Sequence, residues 1–246
     1  MQEDQLPGTP PRQPRLWRRL SLGALGVVAA YLLWQLLTWP DVKRLADEPP
    51  KTTAFIEHYR GSGWLGKKKS VDWRWVPSSR ISPNLKRAVL VSEDLRFFSH
   101  EGFDTEEIRA ALADAWEDKE LPRGASTITQ QVAKNLWLSP SYNPLRKVKE
   151  AILTRQLEKH LSKRRILEIY LNVAEFGRGV YGAEAACRHY FGKSARSLTE
   201  HQAAQLAASL PRPRSWHPGV ESRGYQRKVR SIERRMAKAG WLRKMV

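Results

Sequence analysis

The chain has 246 residues, with 43 lysines and arginines against 25 aspartates and glutamates, and a formal net charge of +18. That length holds one ordinary domain and an accessory segment but is tight for two full domains, and the lone Cys187 excludes an intramolecular disulfide. Residues 1 to 40 carry only +2 of the charge, Arg12, Arg15, Arg18 and Arg19 against Glu3 and Asp4, so the remainder is a strong positive field suited to nucleic acid, anionic lipid or a phosphate-bearing substrate.

Residues 1–19 read as a cytoplasmic tail. Residues 20–39, LSLGALGVVAAYLLWQLLTW, read as a transmembrane anchor, because 20 residues without a charge are the length a helix needs to cross about 30 Å of hydrocarbon. Tyr31, Trp34 and Trp39 lie toward its far end, where aromatic rings mark the interface. The four arginines precede it, which places the tail inside and everything after Pro40 outside. A cleaved signal peptide is the competing reading, although no A-x-A-like site follows the apolar run. A chain facing outward meets lipid headgroups before it meets nucleic acid, so phosphate on a lipid is the expected acidic partner and nucleic acid is not. Residues 40–79 are expected to form a juxtamembrane linker. There HYRGSGWLGKKKSVDWRWVP combines Lys67, Lys68 and Lys69 with Trp64, Trp73 and Trp75, a composition that suits either a membrane interface or a loop and a strand or two packed on the main domain.

From Ser82 the period turns helical. Ser82 and Pro83 supply an N-cap and a first position, and Leu85, Ala88, Val89 and Ser92 follow at helical spacing. Glu93, four residues after Val89, falls on the inward face near the helix end. Burial and the negative pole of the helix disfavour its charge, whereas Arg96 or His100 favour it. Such opposed influences tune a glutamate for proton transfer; a Glu93–Arg96 ion pair at a surface helix end is the alternative. In RGASTITQQVAKNLW, residues 123–137, Thr127 and Gln130 have capping-box spacing and Ile128, Val132 and Leu136 form an apolar row, so a helix is expected to begin just after Gly124. Its other face, with Thr129, Gln130, Gln131, Lys134 and Asn135, offers the uncharged donors and acceptors that desolvated sugar hydroxyls require, beside one lysine.

Asn143 and Pro144 open the next helix, with Glu150, Leu153, Leu157 and Leu161 in one row and Arg146 and Lys147 a turn before Glu150. A glutamate heading an apolar row points partly inward, here with two cations beside it; ordinary surface ion pairing is the competing explanation. Cys187, His189, Tyr190 and Phe191 read as core. Near the C-terminus, Tyr225, Val229, Ile232 and Met236 share a face with arginines elsewhere. That pattern describes a basic amphipathic helix on anionic lipid or a closing helix with a solvated face.

EDLRFFSHEG, GASTITQQ, RKVKE, KRRILEIYLN and GVYGAEAACRHYFGK stand in the order of the motifs of the peptidoglycan glycosyltransferases, glycosyltransferase family 51, and roughly residues 80–215 resemble that family. No S-x-x-K occurs, so the penicillin-binding transpeptidase of bifunctional members is missing and the chain resembles the monofunctional ones. The resemblance implies a mainly α, lysozyme-like glycosyltransferase domain over residues 80–246, behind the single transmembrane helix and on the outer, periplasmic face of the cytoplasmic membrane. It implies polymerisation of lipid II: the 4-hydroxyl of the acceptor GlcNAc attacks C1 of the MurNAc ending the growing chain, and undecaprenyl pyrophosphate leaves with inversion.

Carried over residue by residue, Glu93 matches the general base, with Phe97, Phe98 and Phe103 as its wall, and Glu150 matches the second catalytic glutamate, near the departing diphosphate. Lys134, Arg146 and Lys147 are placed to offset the charge on that group. Ser126, Gln130 and Gln131 match residues near the sugars and phosphates, and Arg96 matches a cation beside the base. Gln202 stands where many members carry a glutamate, which puts a local contact in question. No cofactor is fixed by the motifs; a divalent cation, Mg²⁺ or Mn²⁺, near Glu150 is the candidate. Implied partners are lipid II, the growing glycan chain, membrane lipid and proteins of cell-wall synthesis or division. A lysozyme-like hydrolase using the same two glutamates with water as acceptor, and a non-enzymatic membrane-tethered scaffold, are the rival classes. The anchor and the cations around Glu150 speak against the first, and the ordered motifs against the second.

Overall fold

The computed structural model describes residues 14–63, 67–118, 126–138 and 144–246; Arg12, Trp64, Gly124 and Asn143 lie outside the described residues, as do the side chains of Arg15, Arg18 and Arg19. The chain divides into two compact units, residues 1–41 and 42–246. In the first, helix α1 (Pro14–Leu37) contains the stretch Leu20–Leu37, whose mean hydropathy of 1.8 makes it long and apolar enough to cross a membrane. Gln35 Nε2 donates to Tyr31 Oη at 2.9 Å, and Thr38 Oγ1, just past the helix, donates to the Trp34 carbonyl at 2.7 Å.

The second unit takes in residues 42–79, which the sequence reading treated as a linker. Val42 and Leu45 are buried. Helix α2 (Ala54–Gly61) starts at Thr53, whose hydroxyl caps the Ile56 N–H, and places Ile56 and Tyr59 against Tyr181. Strands β1 (Asp72–Trp73), β2 (Glu175–Gly177) and β3 (Val180–Tyr181) form a small sheet in the order β1-β3-β2. In it β1 runs parallel to β3 and β2 antiparallel. Buried Asn172 ties β1's segment to the helical body: its side chain accepts the Val76 N–H at 2.9 Å and donates to the Val76 carbonyl at 3.0 Å, and its own carbonyl takes the Trp73 indole N–H at 2.8 Å. Gly182, at φ +82, passes so close to Asn172 that a Cβ would lie 2.6 Å from its carbonyl oxygen.

The remaining helices are α3 (Pro83–Glu93), α4 (Thr105–Asp118), α5 (Ile128–Trp137), α6 (Pro144–His160), α7 (Lys163–Val173), α8 (Ala183–Phe191), α9 (Glu200–Ser209) and α10 (Arg223–Lys238). Helix α3 packs on α9 and α10, and α5 packs on α6 and α7. Ser82 caps α3 through the Asn84 N–H as its sequence predicts. The helix is buried on nearly every side, however, and takes even Lys86 and Arg87 inward. Arg87 donates to the Met236 carbonyl at 2.9 Å and to Glu200 at 3.0 Å, joining three helices through one guanidinium.

Several sequence expectations shift. Helix α5 begins at Ile128, three residues later than expected, because Thr127 and Gln130 close a full capping box there. Helix α6 ends at His160 and Ser162 caps α7 separately, yet Glu150, Leu153, Leu157 and Leu161 are all buried as their row requires. Cys187 is core, but His189 is exposed and edges onto half-buried Tyr190, which stacks on His217. Gln202 fills the third position of α9's capping box and also accepts Lys193 Nζ at 3.0 Å, so the amide serves that contact. Helix α10 is the closing helix, with Tyr225, Val229, Ile232 and Met236 buried.

Candidate active site

Glu93 is the last residue of α3 and half-buried. Its Oε1 accepts the Ser92 hydroxyl at 3.0 Å and its Oε2 accepts Gln131 Nε2 at 3.1 Å. Gln131 in turn accepts the Tyr170 hydroxyl at 3.1 Å, so a chain of three side chains from α3, α5 and α7 fixes the carboxylate. Burial holds the Tyr170 proton far above the ordinary phenol range, and the nearby charges of Glu93 and Asp94 add to that effect, so Tyr170 is a donor throughout the physiological range. No cation pairs with Glu93 among the described residues.

Asp94 sets the frame beneath it. Buried, it accepts the Ile128 N–H at 3.0 Å, at the positive end of α5, and faces His100 Nε2 at 3.0 Å. Thr127 adds a 2.7 Å bond to the Gly102 carbonyl. The structure thus brings the start of α5 to the end of α3. Arg96 pairs with Asp104 and Glu106 rather than with Glu93. That hydrogen-bonded pair raises the proton affinity of Arg96 and lowers that of Asp104. Asp94, His100 and Asp104 have ligand atoms close enough together for a metal ion, but each atom set is committed to the contacts just given, and the trio functions as a structural lock.

A hollow of about 440 Å³ opens on Glu93, lined also by Ser92, Arg96, Ser126 and Arg235. The phenylalanines expected as its wall are not among its lining residues: Phe97 is fully buried, edge-on to Phe98 and beneath Lys163 Nζ, and polar residues with Leu95 and Ala110 line the hollow instead. A second hollow of about 430 Å³ begins across the same hydrogen-bonded chain, lined by Gln131, Lys134, Tyr170, Arg212 and Arg214 with Phe55 at its side.

Glu150 is only 2% exposed. Lys147 Nζ donates to its Oε1 at 2.7 Å, and its Oε2 is buried with no hydrogen-bond partner among the described residues. Burial lowers the proton affinity of Lys134 on α5, while Glu150 and Glu93 raise it and Lys147 and Arg146 lower it further. One lysine therefore feels both glutamates and both α6 cations. The sequence-predicted residues accordingly fall around two neighbouring places: Glu93, Arg96 and Ser126 at the first hollow, and Lys134, Arg146, Lys147 and Glu150 along the α5–α6 seam, with Gln131 between. Gln130 spends its carbonyl on the capping box. Thr129 and Asn135 are buried, and Thr129 bonds Glu158, so the polar face of α5 is narrower than its sequence indicates.

The family model for transglycosylases matches residues 62–237. The chain belongs to the transglycosylase family. It is 47% identical over 222 residues to the biosynthetic peptidoglycan transglycosylase of Thiobacillus denitrificans, covering 90% of this chain and 96% of the relative. It is also 46% identical over 227 residues to that of Methylobacillus flagellatus, covering 89% and 95%, and 46% identical over 212 residues to that of Chromobacterium violaceum, covering 86% and 93%. Sequence reasoning did not single out two residues of this candidate site. Tyr170 sits in an apolar row of α7, and Arg235 lies on α10, where only its neighbours' burial pattern carries a signal.

Proposed function

We propose that this peptidoglycan glycosyltransferase polymerises glycan strands from lipid II by dividing the reaction between its two glutamates. Glu93 takes the proton from the acceptor's 4-hydroxyl as that oxygen bonds to C1 of the donor sugar and the bond from C1 to the diphosphate breaks. Lys134, Arg146 and Lys147 face the charge that accumulates on the departing undecaprenyl diphosphate; fixed cations of this kind cost no reorganisation during the reaction. The observation that carries this reading is the Glu93 carboxylate held by Ser92 and Gln131 at the wall of a hollow, with no counter-ion among the described residues.

Glu150 Oε2, buried and without a partner, fits a divalent cation as a single protein oxygen, since Mg²⁺ is commonly held by one or two carboxylates together with substrate phosphates. Such an ion would add positive charge beside the leaving group. Without it, Glu150 positions Lys147.

A single-pass anchor through the cytoplasmic membrane with an outward-facing catalytic unit is supported by α1 and by one feature of α6. Leu145, Val148 and Ile152 are 57%, 57% and 45% exposed at helical spacing, with Lys147 and Lys149 beside them. An apolar row edged by lysines suits the boundary between acyl chains and anionic headgroups. Incubating the purified full-length protein with lipid II, with and without chelator, tests the reaction. Polymer is the expected product, and cleavage of preformed glycan without polymer contradicts it.

A further inference from the structure

Most charges around the Glu93 hollow are already spent. Arg96 is taken by Asp104 and Glu106, and Asp94 by His100 and the Ile128 N–H. Arg235 reaches the same hollow from α10 and pairs with no carboxylate among the described residues. Its backbone is well anchored: Tyr225, Val229, Ile232 and Met236 are buried, and Arg87 binds the carbonyl of the adjacent Met236. A guanidinium presents a fork of donors matched to a carboxylate or phosphate. Here it faces a substrate-sized space that Glu93, Asp94, Asp104, Glu106 and Glu107 also line, and it forms an ion pair with none of them.

We propose that Arg235 binds an oxyanion of the sugar substrate in the Glu93 hollow, either a carboxylate of the peptide that a peptidoglycan sugar bears or a phosphate of its lipid carrier, and so positions the acceptor hydroxyl at Glu93. This rests on Glu93 being the base. Arg235 itself is a positioning residue.

Steady-state polymerisation by full-length Arg235→Gln and Arg235→Lys proteins tests it. Arg235→Gln should raise KM on the order of tenfold, the scale of one charge-assisted hydrogen bond, with kcat within about twofold of wild type, and Arg235→Lys should recover most of the loss. Lipid II with amidated peptide carboxylates separates the two sources. If a carboxylate is bound, amidation raises the wild-type KM to that of Arg235→Gln and leaves the variant unchanged. If a phosphate is bound, amidation changes neither, and inorganic pyrophosphate inhibits wild type more strongly than Arg235→Gln. An unchanged KM, a loss confined to kcat, equal effects of Gln and Lys, or a raised KM with neither response overturns the proposal. Glu93→Gln in the same assay is read through kcat, so failure of the base assignment is distinguishable from failure of the Arg235 contact.

Discussion

The two glutamates stand in opposite states of satisfaction. Glu93 has a donor on each oxygen, above a closed frame in which Asp94, Thr127 and Gly102 bind the start of α5. Glu150 lies deeper, with one oxygen held by exposed Lys147 and the other unpartnered, on a helix that turns Leu145, Val148 and Ile152 outward. A group whose hydrogen bonds are made keeps its place before substrate arrives. A buried oxygen without one is destabilising by about 1–3 kcal/mol, and more if charged, until something entering the site supplies a partner. In the proposed mechanism the α3–α5 junction therefore positions, and the α6 seam receives.

The largest effect belongs to Glu93, the proposed base. Glu93→Gln should retain the fold and lower turnover by roughly 10²-fold or more, the usual scale for loss of a general base. A folded variant with near-normal polymerisation breaks the comparison at its first half. On the receiving side, Lys147→Ala and Glu150→Gln should each slow polymerisation by about tenfold or more, and the double variant should lose less than the two free-energy losses together. Strictly additive losses, with no response to added Mg²⁺ or Mn²⁺, detach Glu150 from the leaving group.

Smaller changes probe the frame and the shared lysine. Asp94→Asn weakens the acceptor at the α5 N-terminus and should cost about 1–3 kcal/mol in denaturant unfolding; an unchanged midpoint removes Asp94 from the frame. For the neighbouring Asp104, the folded proton affinity lies below its ordinary value of 3.8 because of Arg96. Its contribution to stability is therefore complete above that pH and lost as pH falls through the lower folded value, and Asp104→Asn should flatten this part of the acid unfolding curve. The smallest effect concerns Lys134. Because burial lowers its proton affinity from 10.5, its charge and the activity that depends on it should fall before pH 10.5 on the alkaline side, and Lys134→Arg should carry that limb upward.

Local spacing made the positioning half largely legible. The Ser82 cap and the capping box at Thr127 are set by contacts within one turn, and helical period alone carries Glu93 to the end of α3. Arg96 stands at the Glu93 hollow as its motif implies, but its ion-pair partners come from Asp104 and the start of α4, and only tertiary structure chooses Asp104 and Glu106 over Glu93. The Gln131–Tyr170 link and Arg235 at the hollow depend on the packing of α7 and α10, which periodicity does not encode. Residues 40–79 read equally as a linker or as a packed loop and strand, because Ile56 and Tyr59 bury against Tyr181 of a strand more than 100 residues later.

The division of labour is tested most directly by the pH dependence of kcat/KM for wild type, Glu93→Gln and Glu150→Gln on one lipid II preparation. If Glu93 must be ionised to accept the proton, activity falls on the acid side in wild type and in the slower Glu150→Gln protein, while Glu93→Gln keeps only a low rate without that limb. An acid limb that persists in Glu93→Gln, or one that vanishes in Glu150→Gln, contradicts the assignment of the proton to Glu93 and of the leaving group to Glu150.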